Sequence, residues 1–293
     1  MNSTKIIAAL TLLFICMSAK ALNIQEAMKS GKVNITLSSN GKSLQDGMVS
    51  ALIQNKTAEK LKLEIPLGTE LISEDDDVQN LILVQDEHLV LAPNSSETLD
   101  LKGMCIQATN SSPGASQTYS IGDVLGGDLL ACATMIRDKK IINHCGQQAI
   151  WAFSDNHEVG WIDTENEHED ALRQFVADRK GVENPWYTTS HRGGNNQLLD
   201  DFDPEQPSDD YYDMSGAEIR GDFQWWQDET QTLSFAVYDA EGNLVRKFFD
   251  NKTFNKGEFT FKFFYKTSKN LRGTYYAKMT CGDQLIKEAA FSF

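Results

Sequence analysis

Long apolar runs, cysteine, histidine and positive charge are all scarce in this chain of 293 residues. After the first twenty residues no apolar run is long enough to cross a bilayer as a helix, which argues against a membrane-spanning segment. Five cysteines are too few for a disulfide scaffold in a chain of this length. The 27 basic residues are outnumbered by 42 acidic ones. The clustered positive charge that nucleic acids and anionic membranes require is therefore missing.

The first 21 residues have the pattern of a secretory signal peptide. Lys5 supplies the positive start, residues 6–17 form the apolar stretch, and Ala19-Lys20-Ala21 has the small residues of a cleavage site. The bulky residues before Cys16 do not fit a lipoprotein site. The mature chain would begin near Leu22 with 25 basic and 42 acidic residues, a net charge of about −17. We therefore expect an exported protein, secreted or held at the cell surface.

Residues 22–182 have the pattern of a β-sandwich followed by helices. Alternating apolar residues, such as Leu61, Leu63 and Ile65 before the break at Pro66, predict short antiparallel strands. Apolar residues at helical spacing then predict three helices, over residues 124–136, 141–153 and 171–176. We expect one unit, a β-sandwich with a helical cap.

Four cysteines would remain in the exported chain, and thiols outside the cytoplasm tend to pair. They are Cys105, Cys132, Cys145 and Cys281, which allow three pairings that spacing alone cannot separate. If the first two helices form a hairpin, Cys132 and Cys145 lie at similar height on either side of its polar turn. That geometry favours a Cys132–Cys145 bridge, which would leave Cys105 free.

An acidic linker is predicted over residues 183–221, and a second all-β module over residues 222–293. The stretch 200–213 combines seven acidic residues with two prolines and no basic residue. Its aspartates lack EF-hand spacing, so we predict a solvated tether, with no metal or cofactor site. In the last segment Leu233, Phe235 and Val237 alternate, as do Phe259, Phe261 and Phe263, which predicts an immunoglobulin-like β-sandwich.

This second module resembles the hook-capping-type immunoglobulin-like domains and the C-terminal domains of proteins exported by type IX secretion. The residues that carry the resemblance are Val237-Tyr238-Asp239 with Gly242 and Val245, Lys256-Gly257, and Gly273 with Tyr275. The final residues, 289–293, lack the lysine-rich strand of a sorting signal. The resemblance implies a bacterial exported protein, and it leaves open a sorting role or a plain accessory sandwich.

The first module is similar to bacterial surface thioester domains in two short motifs. The matching residues are Met104-Cys105-Ile106 and, further on, Gln147, Ala149, Ile150 and Trp151. The resemblance implies an internal thioester between Cys105 and Gln147 that captures an amine on a partner surface, with His144 and Trp151 in support. Gly146 stands where those domains have threonine. The alternative interpretation is structural: Cys105 closes a strand, Gln147 caps a contact, and Trp151 fills the interface between sandwich and helices.

An enzyme is the third and weakest interpretation. Cys145-Gly146 followed by Trp151 superficially resembles the nucleophile segment of papain-like cysteine hydrolases, but Ile150 stands where their reactive cysteine would be. His157-Glu158 begins like a zinc-protease helix, yet Trp161 occupies the position of the second histidine. We therefore predict no catalytic residues. The expected function is non-enzymatic interaction with a protein or cell-surface partner, and the covalent thioester adhesin is the main alternative.

Overall fold

A computed structural model describes residues 21–191, 217–266 and 273–292. The predicted leader, apart from its last residue, and most of the predicted acidic linker lie outside the described residues. Ten strands and four α-helices come first, and seven strands follow. The predicted mostly β fold with a helical portion is confirmed. None of the helices in the described ranges combines the length and apolarity needed to cross a membrane.

The first module consists of two sheets and a helical layer. Its strands are β1 (Leu22–Asn23), β2 (Val33–Ser39), β3 (Val49–Asn55), β4 (Leu61–Ile65), β5 (Thr69–Ser73), β6 (Leu81–Leu83), β7 (Glu87–Leu91), β8 (Ser96–Leu101), β9 (Gly103–Cys105) and β10 (Thr118–Val124). One sheet has the order β1-β4-β7, and the other has the order β8-β3-β2-β10-β5-β6-β9. Alternate residues along the strands fill the core between the two sheets, as the buried Leu61, Leu63 and Ile65 of β4 illustrate.

The helices of the first module are α1 (Ile24–Lys29), α2 (Gly127–Lys139), α3 (His144–Ser154) and α4 (Glu167–Lys180), with a 3-10 turn at Val159–Trp161. Each predicted helix is present, but its start is displaced. The second predicted helix, α3, begins at His144 because the side chain of Asn143 accepts a hydrogen bond from Gly146 N–H. The third predicted helix, α4, begins at Glu167 because Asn166 caps it. The acidic residues of its first turn interact favourably with the positive end of the helix dipole.

Strands β6 and β9 are buried on both faces and join the sandwich to the helical layer. Leu81, Leu83 and Cys105 face the sandwich core. Ile82 and Met104 face the helices. Because successive side chains of a strand point to opposite faces, these two short strands belong to both cores at once. This end of the large sheet therefore determines where the helices can pack.

The second module is a sandwich of three and four strands. Its strands are β11 (Tyr187–His191), β12 (Ala217–Gln227), β13 (Gln231–Tyr238), β14 (Leu244–Phe254), β15 (Gly257–Lys266), β16 (Thr274–Cys281) and β17 (Gln284–Ser292). The sheet orders are β11-β12-β15 and β14-β13-β16-β17. Aromatic rings dominate the core, where Phe235 packs edge-on against Phe223 and Phe261 at centroid distances of 4.8 and 5.0 Å.

Strands are present at both ends of the segment predicted as an acidic linker. Residues 187–191 and 217–221, both assigned to it from sequence, pair antiparallel as β11 and the start of β12. Trp186 explains why the strands form there, because its indole packs against Phe223, Phe263 and Phe291 of the second core. Buried aromatic area outweighs the polar composition of the flanking residues.

The two modules are in contact through β11. Arg173 on α4 is buried, and its Nη2 donates hydrogen bonds to the carbonyl oxygens of Pro185 (2.7 Å) and Tyr187. Thr189 Oγ1 donates to Gly160 O at 3.4 Å. The β11 side of the three-stranded sheet is therefore occupied by the first module.

Trp151 is the aromatic anchor of the first module, with only 9% of its surface exposed. We expect Trp151→Ala to lower the free energy of unfolding by about 3–5 kcal/mol, because it opens a cavity between sandwich and helices. Chemical denaturation followed by circular dichroism measures this. The matched control is Trp226→Ala, since Trp226 is 59% exposed and its loss should change little. Equal effects of the two variants would contradict the assignment.

Candidate functional site

The two thioester candidates, Cys105 and Gln147, are in direct contact although they lie 42 positions apart in sequence. The side-chain carbonyl Oε1 of Gln147 accepts a hydrogen bond from Cys105 N–H at 2.9 Å. Its Nε2 donates to Cys105 O at 2.8 Å. Both residues are buried, with 5% and 6% of their surface exposed. The carboxamide is therefore paired with the backbone of Cys105 through both of its polar atoms.

The backbone geometry explains why Cys105 needs this partner. In the antiparallel pair of β6 and β9, Ile106 N–H donates to Asn80 O on the β6 side. Since donors alternate along a strand, the N–H and C=O of Cys105 point away from β6. The end of the sheet is at β9. Gln147 thus supplies one donor and one acceptor, as a peptide group of a further strand would.

Helix α3 can bring Gln147 this close because residue 146 is glycine. A Cβ atom built on Gly146 would collide with the carbonyl oxygen of Ile141 and lie 2.7 Å from Met104 Cε. Asn143 caps the helix, and its Nδ2 donates to Glu169 Oε1 at 2.8 Å, which ties α3 to α4. The other carboxylate oxygen of the buried Glu169 accepts from Glu165 N–H at 2.7 Å. Helix position is therefore set by polar contacts at one end and by the missing side chain in the first turn.

The electrostatics of the thiols oppose ionisation. Burial raises the pKa of the Cys105 thiol to about 12. Burial likewise raises the pKa of Cys145 to about 12, with the carboxylate of Glu169 as a further cause. The pKa of Cys132 is raised by burial and by its neighbour Cys145. Few of these thiols are thiolates at neutral pH.

Of the supporting residues, Trp151 lies at the site and His144 is displaced from it. Trp151 belongs to the same core cluster as Cys105. His144 is exposed in the first turn of α3, with its Nε2 3.4 Å from Gln148 Nε2. Within the described ranges, the hydrogen bonds of Cys105 involve Gln147 and none involves His144.

Cys132 and Cys145 lie on the adjacent helices α2 and α3 and belong to one buried cluster. All four cysteines of the described residues are free thiols. A Cys132–Cys145 bridge therefore stays a prediction for the exported protein.

Two contributors to the site were missed by sequence reasoning. Tyr119 of β10 is buried in the Cys105 cluster, and its pKa is raised first by burial and then by the nearby Cys105 thiol. Tyr119 lies two residues before Ile121, and this spacing of two is the sequence pattern that indicates a shared face of β10. His157 lies between Trp151 and Trp161, with ring centroids 5.9 and 4.5 Å away. No sequence pattern distinguishes it from a surface histidine.

No protein-family model matches the chain, and no curated protein matches it significantly. In the described part of the chain, no group of three or more histidine, cysteine, aspartate or glutamate residues could hold a metal ion.

The pairing of Gln147 with the Cys105 backbone predicts a measurable contribution to stability. We expect Gln147→Ala to lower the free energy of unfolding by about 2–4 kcal/mol, because it leaves a buried donor and a buried acceptor unpaired. Gln148→Ala, one residue along the helix, is the control, since Gln148 contacts the exposed His144. Urea denaturation compares them. A Gln147→Ala variant as stable as Gln148→Ala would show that the pairing is not structural.

Gly146 gives a second prediction at the same helix. Gly146→Ala should destabilise the first module by about 1–3 kcal/mol, because the added methyl overlaps backbone that cannot move aside cheaply. Gly114→Ala is the control, since nothing lies within 4 Å of a Cβ added there. The difference in melting temperature between the two variants tests the close approach, and a Gly146→Ala protein melting with the wild type would refute it.

Proposed function

We propose that this protein is an exported, non-enzymatic interaction protein whose two β modules bind a protein or cell-surface partner without covalent chemistry. The observation that carries the proposal is the double hydrogen bond between the Gln147 carboxamide and the Cys105 backbone. These hydrogen bonds give Cys105 and Gln147, the two thioester candidates, a structural role. The leader pattern and the acidic balance of the chain support export and solubility.

Two physical effects oppose the formation of a thioester between Cys105 and Gln147. A thiol with a pKa of about 12 is ionised in roughly one molecule in a hundred thousand at pH 7. Closing the thioester would also expel Nε2 of Gln147, the atom that donates to Cys105 O. The buried C=O of Cys105 would then lose its partner, at a cost of about 1–3 kcal/mol. Both effects favour an intact glutamine.

The covalent adhesin is the second candidate, and the contact between the two motif residues favours it. In that reaction the Cys105 thiolate attacks the Gln147 carbonyl carbon, the C–N bond breaks, and the nitrogen leaves as ammonia with the thiol proton. An amine of the partner would later displace the thiol and form an amide. The burial of both residues would protect such a bond from water.

The intact mass of the exported protein separates the two candidates. We expect the mass of a chain that begins at Leu22 and has an unmodified glutamine at position 147. Incubation with methylamine should leave this mass unchanged. A loss of about 17 Da that disappears in Cys105→Ala would establish the thioester and overturn the non-covalent proposal, because closure expels ammonia. A retained leader would contradict export. Cys281→Ala is the matched control, since its thiol lies in the second module.

A further inference from the structure

The four sheet edges of the second module are not equally protected. The β11 edge lies against the first module through Thr189 and Gly160. The backbone of β17 is engaged at Ala290 O by Trp186 Nε1 (3.0 Å) and at Ser292 N–H by Tyr187 Oη (3.1 Å). Two edges, β14 and β15, remain.

Strand β14 carries the irregularities that discourage further pairing. Its register with β13 shifts three times, and Asn251 within it has a φ of 47°. Bulges of this kind twist an edge and interrupt its row of donors and acceptors. A straight partner strand cannot follow it.

Strand β15 has the opposite character. Its ten residues pair with β12 in unbroken register, with no bulge and no proline. Within the described ranges no strand lies on its other side. Such an edge presents a continuous row of backbone donors and acceptors, which is a template for another strand.

The side chains of β15 are self-complementary in an antiparallel pairing. Glu258, Thr260 and Lys262 alternate on the exposed face. A two-fold axis at Thr260 would place Glu258 of each copy opposite Lys262 of the other, and Thr260 opposite Thr260. Opposite charges and paired threonines are both favourable cross-strand neighbours.

Further side chains on the inner and outer faces of β15 also meet suitable partners in this register. Phe259 and Phe261, which are half-buried against the core, would lie opposite each other across the axis. Phe264, 46% exposed, would face Lys256 of the second copy, where a cation–π contact can form. The register thus leaves no like charges directly opposite among these residues.

We propose that β15 is a homodimerisation edge, which joins the three-stranded sheets of two copies into one six-stranded sheet by antiparallel pairing centred on Thr260. The contact is isologous, so the assembly closes at two copies. It lies on the edge of the sheet opposite β11 and hence away from the first module. The inference does not depend on the chemistry of Cys105 and Gln147.

Charge reversal tests both the edge and the register. Sedimentation velocity of the mature protein over a wide concentration range should show a reversible monomer–dimer equilibrium. Glu258→Lys alone, or Lys262→Glu alone, should raise the dimer dissociation constant by about tenfold, because each variant places two like-charged pairs across the axis. An equimolar mixture of the two variants should recover dimerisation as a heterodimer, since its facing charges are again opposite.

The control is Glu229→Lys, an equal charge change in the exposed turn between β12 and β13. Melting curves identify any variant that is unfolded, and recovery in the mixture excludes misfolding as the cause of a loss. A wild-type protein that is monomeric at every concentration would overturn the proposal. So would single variants that dimerise like the wild type, a mixture that fails to recover, or Glu229→Lys weakening the dimer equally.

Discussion

The pairing of one side-chain amide with one backbone position holds the first module together. Cys105 is the last residue of β9, and its N–H and C=O point away from β6 at the buried junction between sandwich and helices. A buried backbone group without a partner costs as much as a lost hydrogen bond, so something must meet both atoms. Gln147 does so at 2.9 and 2.8 Å. Helix α3 can approach only because residue 146 has no side chain.

Much of this architecture could be predicted from periodicity. The alternation of Leu61, Leu63 and Ile65 marks β4, and the helical spacing around Ala149 and Ile150 marks α3, since both patterns report one buried face. Two short motifs singled out Cys105 and Gln147 together, as candidates for a thioester. Their hydrogen-bonded pairing, in contrast, depends on which way the backbone of Cys105 faces, and this direction follows from strand register.

Other features depend on tertiary contacts that no local pattern records. Residues 187–191 read as linker because their neighbours are polar, yet they form β11, where Trp186 enters the aromatic core. The sequence pattern placed Asn143 inside a predicted helix, whereas in the fold it caps α3 and its bond to Glu169 joins two helices. Propensity describes a segment alone, whereas burial is decided by what the segment meets.

The same physical requirement has opposite consequences at two sheet edges. Strand β9 has only three residues, and a single carboxamide pairs with both outward backbone groups of its last residue, Cys105. At β15 the row extends over ten residues. No single side chain can match a row of that length, and only another strand repeats its spacing of donors and acceptors. The length of an open edge therefore decides whether a single side chain can close it or a further strand is required.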